Sequence, residues 1–212
     1  HADKKKLYII IDQNFIYSHF ELQKTASQSA VVSHKTWMPA SMDLYKIVNS
    51  IRKTYNSKLN KKYPWEDYLT QAVSTLSNEE IDWSKPKEDK LFFTVGARNV
   101  IEVAHPEDTT GGGFDRRGFG LPVVKFGKVG GGKSIALDDS LRHTISEQYG
   151  ICCYDSDMDQ VMESIEGNRK DSFIIIRSIT DYVDGTTNKE WQPFASLSAA
   201  SFAKAIICAL PI

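Results

Sequence analysis

Short apolar runs and polar stretches alternate in the N-terminal part of the chain. Residues 7–11 are a β-branched apolar run and residues 15–17 add Phe, Ile and Tyr, which predicts one or two partly buried strands. Residues 23–37 are polar and rich in Ser, Thr and Gln, so we expect a loop there. From Ser41, a residue type that caps helix N-termini, the apolar spacing becomes that of a helix of about four turns. The residues with this spacing are Leu44, Ile47, Val48, Ile51 and Tyr55.

The middle of the chain combines one more helix with a pair of strands. A shorter helix is predicted over residues 65–76, and the polar residues 77–90 are expected to cross the surface. Residues 91–95 and 100–103 alternate or cluster in the manner of paired strands. A glycine-rich, charged loop follows at residues 105–119.

The C-terminal part has clearer patterns. Residues 122–127 predict a strand, residues 139–149 a helix, residues 173–176 a buried strand, and residues 194–210 a long helix rich in Ala and Ser. Strands that alternate with helices in this way predict an α/β fold.

Composition is that of an ordinary folded domain. The 212 residues fit one domain, residues 1–212, with 41% hydrophobic and 25% charged residues and a formal net charge of −1. This near-neutral balance gives no electrostatic footprint for nucleic acid or an acidic membrane. No run of about 18 apolar residues and no signal peptide is visible, so we expect no membrane span and a cytoplasmic protein. Cys152, Cys153 and Cys208 are expected to be reduced, buried thiols.

Residues 127–134 (GKVGGGKS) match a phosphate-binding loop that follows an apparent strand. In such a loop glycine N–H groups cradle phosphates, and Lys133 and Ser134 would reach phosphate and Mg²⁺. The chain after Ser134 is short for the further parallel strands that such an ATPase needs. A glycine-rich bend between strands, or a ligand-binding loop of another type, is the alternative.

Two groups of charged residues lie near predicted strand ends. The predicted strand at residues 173–176 runs into Arg177 and, four residues later, Asp181, where α/β sheets form their clefts. An ion pair, or an Asp that caps the next turn, would explain the same residues without a site. Asp155 and Asp157 would share one face of a strand, which suits cation binding or hydrogen bonds to vicinal hydroxyls. Two solvated acids are the alternative.

Several of these segments together resemble one known family. Residues 177–195 (RSITDYVDGTTNKEWQPFA) closely resemble the end of the nucleoside phosphorylase superfamily, which reads Arg-Gly-Ile-Cys-Asp-Tyr-Ala-Asp, then Asn-Lys-x-Trp-Gln-x-Tyr-Ala and an alanine-rich helix. Residues 153–157 (CYDSD) resemble its Cys-Phe-Glu-Met-Glu segment. Residues 124–132 (VKFGKVGGG) resemble its His-Tyr-Gly-x-x-Ala-Ser-Gly segment, which would make the phosphate-loop match a coincidence. Residues 7–25 resemble the preceding strands more loosely.

The resemblance implies a three-layer phosphorylase-like domain, in which a mixed central sheet is flanked by helices. It covers the C-terminal two-thirds of such a domain, and about the last 40 residues carry the specific match. The N-terminal third, which in the family supplies the first strand and the glycine loops for phosphate or water, is expected to be missing. A homo-oligomer partner or a second chain would then cover the exposed sheet.

The family's catalytic and base-binding residues can be carried over to matching positions. Asp181 matches the Asp that hydrogen-bonds purine N7 and protonates the leaving base, a task suited to a partly buried carboxyl group. Arg177 would orient the Asp181 loop, and Thr180 stands where many members have a Ser or Cys that lines the base site. Ile135 and Ala136 fall where the family has its base-contacting pair.

The sugar site departs from the family pattern. Asp157 matches the Glu that binds the ribose hydroxyls but is one methylene shorter, and Asp155 matches the first Glu of the same segment. Ser156 replaces the Met that packs under the sugar, which removes apolar contact. Both changes weaken the usual ribose site.

The resemblance implies a protein that binds a purine nucleoside, and that cleaves its N-ribosidic bond as a phosphorylase or an N-ribosyl hydrolase if it is active. Phosphate is then a possible co-substrate, and no metal or organic cofactor is needed. The alternative is a catalytically inactive nucleoside-binding or assembly module of the same fold. A phosphate-loop ATPase is a third, weaker reading. The sequence leaves the base preference open.

Overall fold

The computed structural model describes residues 8–12, 17–24, 30–56, 63–87, 91–95, 99–103, 122–136, 138–155, 157–168, 172–180 and 189–211 of the 212. The strands in these ranges are β1 (Tyr8–Asp12), β2 (Tyr17–Lys24), β3 (Ala30–Trp37), β4 (Leu91–Val95), β5 (Asn99–Val103), β6 (Val123–Gly131), β7 (Ile151–Asp155) and β8 (Ile176–Ser178). The helices are α1 (Asp43–Asn56), α2 (Pro64–Thr75), α3 (Lys133–Ala136), α4 (Asp139–Tyr149), α5 (Asp159–Gly167) and α6 (Trp191–Cys208).

A mixed sheet of six strands organises the α/β fold. Its strand order is β3-β2-β6-β1-β8, and β7 pairs with β6. Strands β2 and β3 are antiparallel, whereas β6 runs parallel to both β2 and β7. A separate antiparallel hairpin is formed by β4 and β5. The expectation of a mixed sheet flanked by helices is therefore confirmed, whereas its phosphorylase-like topology stays a prediction.

The chain divides into two compact units. Residues 1–9, 47–125 and 176–212 belong to the first, and residues 10–46 and 126–175 to the second. The expectation of a single domain over residues 1–212 stays a prediction.

The core of the first unit lies between α2 and α6. Trp65 and Phe202 are almost fully buried, and their rings meet edge to face with centroids 4.9 Å apart. A second contact places Leu69 of α2 against Trp191 and Phe194 at the start of α6. Helix α2 begins at Pro64, a residue preorganised for the first helical position, and the Glu66 carboxylate accepts the Tyr63 N–H at 3.0 Å.

The second unit has helices on both faces of its strands. Phe20 of β2 packs with Ile135, Ile145 and Ile151 on the face covered by α3 and α4. Tyr17, three residues before Phe20, points to the opposite face, where its hydroxyl meets Asp159 of α5. The sheet alternation thus gives each face of β2 its own helical layer.

The predicted helices agree best with the structure. Helices α1, α2, α4 and α6 confirm the four that were expected, and the β4–β5 pair confirms the expected paired strands. These predictions agree with the structure because the pattern of apolar residues is strong. The apolar positions recur at helical spacing over several turns in the helices, and they alternate or cluster in the paired strands. Helix α5 was not expected.

The loop expected at residues 23–37 is wrong. Strand β3 occupies Ala30–Trp37 and pairs with β2 along its whole length. Most of its side chains are exposed, and even Val31 is 51% exposed. A strand without a buried face has no apolar alternation, so its backbone pairing leaves no pattern in the sequence.

Two strand boundaries also differ. Strand β6 continues from the expected end at Gly127 to Gly131, because β2 and β7 pair with its glycines. Strand β8 covers only Ile176–Ser178, although Ile175 just before it is buried as expected.

The three cysteines are free thiols, as expected. Cys153 is buried, but Cys152 and Cys208 are exposed, which corrects the expectation that all are buried. None of the helices in the described ranges has the length and apolar content needed to cross a membrane.

We expect Phe202→Ala to lower the free energy of unfolding by about 3–5 kcal/mol, because the substitution leaves a cavity against Trp65. Chemical denaturation followed by tryptophan fluorescence would measure the loss. Ile207→Ala, on the same helix but 65% exposed, is the matched control and should change stability by less than about 0.5 kcal/mol. Equal losses in both variants would contradict the assignment of Phe202 to the core.

Candidate functional site

A row of residues crosses three neighbouring strands of the second unit. Gly131 of β6 pairs with His19 of β2 on one side and with Asp155 of β7 on the other. Gly131 and Asp155 are the last residues of two parallel strands, so both lie at the carboxyl edge where α/β sheets bind their ligands. Residues paired in a parallel ladder point to the same face of the sheet. The side chains of His19 and Asp155 therefore lie on the same face of the sheet, with Gly131 between them.

Gly131 leaves room for polar groups above the sheet. A Cβ at this position would collide with the Tyr17 hydroxyl and would lie 3.0 Å from Oδ1 of Asp159. The missing side chain is therefore what lets these two groups meet over β6. Only glycine can occupy this position without displacing them.

Asp159 is the centre of the polar cluster above Gly131. The hydroxyl of the fully buried Tyr17 donates a hydrogen bond of 2.8 Å to Oδ1 of Asp159. Nδ1 of His19 is buried and lies 2.7 Å from the same oxygen, near enough for an ion pair with a protonated ring, although the two atoms are not aligned as a hydrogen bond. The side chains of His19 and Asp159 are 20% and 27% exposed, so the cluster is only partly screened by water.

A tight acidic turn connects β7 to α5. The backbone N–H of Asp157 donates to Oδ1 of Asp155 at 2.9 Å, as an aspartate does when it nucleates a turn. Asp155 is half-buried and Asp157 is exposed, and helix α5 begins two residues later at Asp159. The structure thus brings together two predicted ribose-binding residues and places the polar cluster directly after them. Ser156, predicted between them, lies outside the described residues.

The glycine segment does not form the phosphate loop that its sequence pattern allowed. Gly130 and Gly131 are strand residues, paired with both β2 and β7, whereas a phosphate-binding loop needs them in an open loop. Gly132 has a left-handed φ of 120° and passes close to the Phe20 carbonyl. Lys133 and Ser134 follow, exposed, in the four-residue helix α3. The phosphate-loop reading is therefore wrong.

The residues predicted to contact the base are in two places. Ile135 lies in α3 and is fully buried against Phe20 and its neighbours, while the side chain of Ala136 is among those not described. Arg177 lies in β8, and Thr180 follows two residues after that strand, both half-buried and both in the first unit. Asp181, the predicted general acid, lies outside the described residues. The catalytic and base-binding roles of these residues stay predictions.

Sequence reasoning missed Tyr17, His19 and Asp159. Tyr17 and His19 are two residues apart on a strand and so share a face, which was a usable signal. Asp159 continues the spacing of Asp155 and Asp157 at every second residue. That regularity does not carry over to the structure, because a helix starts at Asp159 and turns it toward β2.

A second polar contact ties α5 to β3. Nε1 of Trp37 donates to Oε2 of Glu166 at 2.8 Å, and Nζ of Lys35 lies 3.2 Å from the same oxygen. The pKa of Glu166 is held below its ordinary value, mainly by the Trp37 hydrogen bond and then by Lys35. The Lys35 ammonium also lies 4.4 Å from the centre of the Trp37 ring. Helix α5 is therefore fastened to the sheet at both of its ends.

Within the described ranges, no group of three or more His, Cys, Asp and Glu side chains is arranged to hold a metal ion. Two of the carboxylates near Gly131 accept hydrogen bonds from protein donors: Asp155 from the backbone N–H of Asp157, and Asp159 from the Tyr17 hydroxyl.

Comparison with known proteins gives a distant similarity. The chain is 26% identical over 143 residues to a nucleotide-binding leucine-rich repeat (NLR)-like protein from Hyaloscypha variabilis. This match includes 67% of the chain but only 13% of the length of that relative. No protein-family model matches the chain, and no solved structure matches it.

Gly131→Ala is expected to lower the free energy of unfolding by about 1–3 kcal/mol, because the added methyl group must displace the Tyr17 hydroxyl. Thermal or urea denaturation would measure this. Gly167→Ala, at the end of α5, is the control, since a Cβ added there would have no atom within 4 Å apart from those of its chain neighbours and its own helix backbone. A Gly131 variant as stable as the Gly167 variant would show that the space over β6 is not filled by Tyr17.

Trp37→Phe should raise the pKa of Glu166 toward its ordinary value, since the substitution removes the hydrogen bond that lowers it most. A lowered pKa in the folded state stabilises the protein above the ordinary glutamate pKa and ceases to do so as pH falls through the lowered value. NMR titration of the side-chain carboxyl groups measures the change. The pKa of Asp43 is lowered by Lys46 and Ser41 and should not move. An unchanged Glu166 titration would contradict the assigned cause.

Proposed function

We propose that this chain is a nucleoside phosphorylase-like module that binds a purine nucleoside. The observation that carries the proposal is the pairing of Gly131 with Asp155. It brings the ends of the two upstream segments that resemble the family, the glycine segment and the acidic segment, to one edge of the sheet. That edge is where α/β proteins bind small molecules.

The acidic turn is the proposed ribose site. Asp157 is exposed, and its carboxylate would accept hydrogen bonds from the 2′ and 3′ hydroxyls, as the matching Glu does in the family. Asp155 holds the Asp157 backbone N–H and so shapes the turn. Ser156 stands at the position where the family has the Met that packs under the sugar.

The proposed reaction requires protonation of the base. As the bond from C1′ to the base nitrogen breaks, its electron pair moves to the base, and Asp181 donates a proton to N7. In phosphorolysis a phosphate oxygen then bonds to C1′; in hydrolysis a water oxygen bonds there, and the proton that the water loses returns to the Asp181 carboxylate. Arg177 would position the Asp181 loop, and Thr180, the residue before Asp181, would contribute to the base site. No metal or organic cofactor takes part.

A catalytically inactive nucleoside-binding or assembly module is the second candidate. The changes to Asp157 and Ser156 relative to the family weaken sugar contacts, which favours binding without cleavage. The similar NLR-like protein is far longer than the matched segment, so we propose that the chain acts as one module within a larger protein of that kind. Its proposed partner is another copy of this chain or a second chain. Free thiols at all three cysteines agree with a cytoplasmic location.

We expect the purified protein to release free base from adenosine or inosine, and the Asp181→Asn variant to lose this activity by about 10²-fold or more because it cannot donate the proton. A panel of purine and pyrimidine nucleosides, with and without phosphate, would be followed by chromatography. Dependence on phosphate separates phosphorolysis from hydrolysis. Asp184→Asn, three residues away, is the matched control and should retain activity.

Two other outcomes decide between the candidates. Binding of a nucleoside without release of base, by a folded sample, would support the inactive module. The absence of both binding and release would contradict the nucleoside proposal itself.

A further inference from the structure

We propose that Tyr17, His19 and Asp159 are positioning residues that hold the acidic turn in place and make the site selective for ribose over 2′-deoxyribose. This inference rests on the proposed function, because it concerns the same ribose site. It names residues that the family resemblance does not assign.

The turn is held at both of its ends. On one side, Asp155 is the last residue of β7 and is paired to Gly131. On the other side, Asp159 is bonded to the Tyr17 hydroxyl and lies within ion-pair distance of His19. Only three residues separate these two attachment points, and the hydrogen bond from Asp157 to Asp155 further limits the conformations between them.

The partners of Asp159 are themselves rigid. Tyr17 is fully buried, and its ring lies 5.7 Å from that of Trp37, so its hydroxyl has little freedom. His19 lies on the same strand two residues later and packs edge-on toward Trp37, with ring centroids 6.2 Å apart. Lys35, the partner of His19 on β3, is engaged with Glu166. Tyr17 and His19 therefore fix the position of Asp159, and with it the end of the turn, relative to the sheet.

A fixed turn has a consequence for substrate choice. A carboxylate held at one position can accept hydrogen bonds from both vicinal hydroxyls of ribose, whereas 2′-deoxyribose supplies only one of the two. A turn that can shift would adapt to the 3′ hydroxyl alone and discriminate less. Selectivity between the two sugars thus reports on the rigidity of the turn, whereas general damage to the fold weakens the binding of both.

Tyr17→Phe tests the inference because it removes only the hydroxyl. Calorimetry would give affinities for adenosine and 2′-deoxyadenosine, and for inosine and 2′-deoxyinosine, with kcat/KM used instead where base is released. We expect the wild type to prefer the ribonucleoside by about tenfold or more, and the variant to lose most of this preference while its affinity for the deoxynucleoside stays about the same.

Substitutions of His19 give an independent second test. His19→Leu removes the ring nitrogen that lies 2.7 Å from Asp159 and should reduce selectivity in the same way as Tyr17→Phe, whereas His19→Asn, which introduces an amide N–H near Asp159, should restore most of it. Tyr149→Phe is the matched control, because it also removes only a tyrosine hydroxyl, but on the opposite face of β2, where the Tyr149 and Phe20 ring centroids lie 5.0 Å apart. Thermal melting would confirm that each variant is folded.

Hydrogen exchange without any ligand completes the experiment. The amide of Asp157 should exchange faster in Tyr17→Phe than in the wild type or in Tyr149→Phe, because the turn is released. An Asp157 amide that exchanges at the same rate in Tyr17→Phe as in the wild type overturns the claim that the cluster holds the turn. Nucleoside binding with the wild-type sugar preference in Tyr17→Phe and His19→Leu overturns the inference while the proposed function stands. A wild type that binds no nucleoside overturns the proposed function and the selectivity together.

Discussion

The hydrogen bond from Tyr17 to Asp159 joins β2 to α5 across a strand that has no side chain at Gly131. Tyr17 is fully buried and the Asp159 side chain is 27% exposed, so removing the bond would take a charged acceptor away from a buried hydroxyl, which is costly. The position of α5 follows from it, and so does the path of the acidic turn that precedes α5. A second attachment, from Trp37 to Glu166, fixes the other end of the helix.

The same constraint explains why the glycine segment is a strand. Pairing on both sides of β6 requires neighbours that approach closely, and Gly130 and Gly131 leave space for Tyr154 and Tyr17 respectively. Gly132 then takes a left-handed φ beside the Phe20 carbonyl, which ends the strand and begins α3. Glycines that matched a phosphate loop therefore serve close packing within a sheet.

The candidate site consists of a rigid part that fixes its geometry and an exposed group that can contact a ligand. The rigid part is the sheet with its Tyr17 and His19 side chains, and the chemical part is the exposed Asp157 in the turn beyond β7. Sites built on short segments held by rigid elements keep their geometry when a ligand arrives. This arrangement is compatible with the proposed binding of a nucleoside at the turn.

The sequence by itself determined the α/β class, the four long periodic helices and the adjacency of Asp155 and Asp157, because helical spacing and local order are written in neighbouring residues. Only the tertiary structure decided that β3 is a strand, since its exposed side chains have no apolar alternation and its backbone bonds come from β2. It also decided the meeting of Tyr17 with Asp159, which are 142 residues apart. Contacts at that separation depend on strand register and on the space left by Gly131, and neither is visible in local sequence.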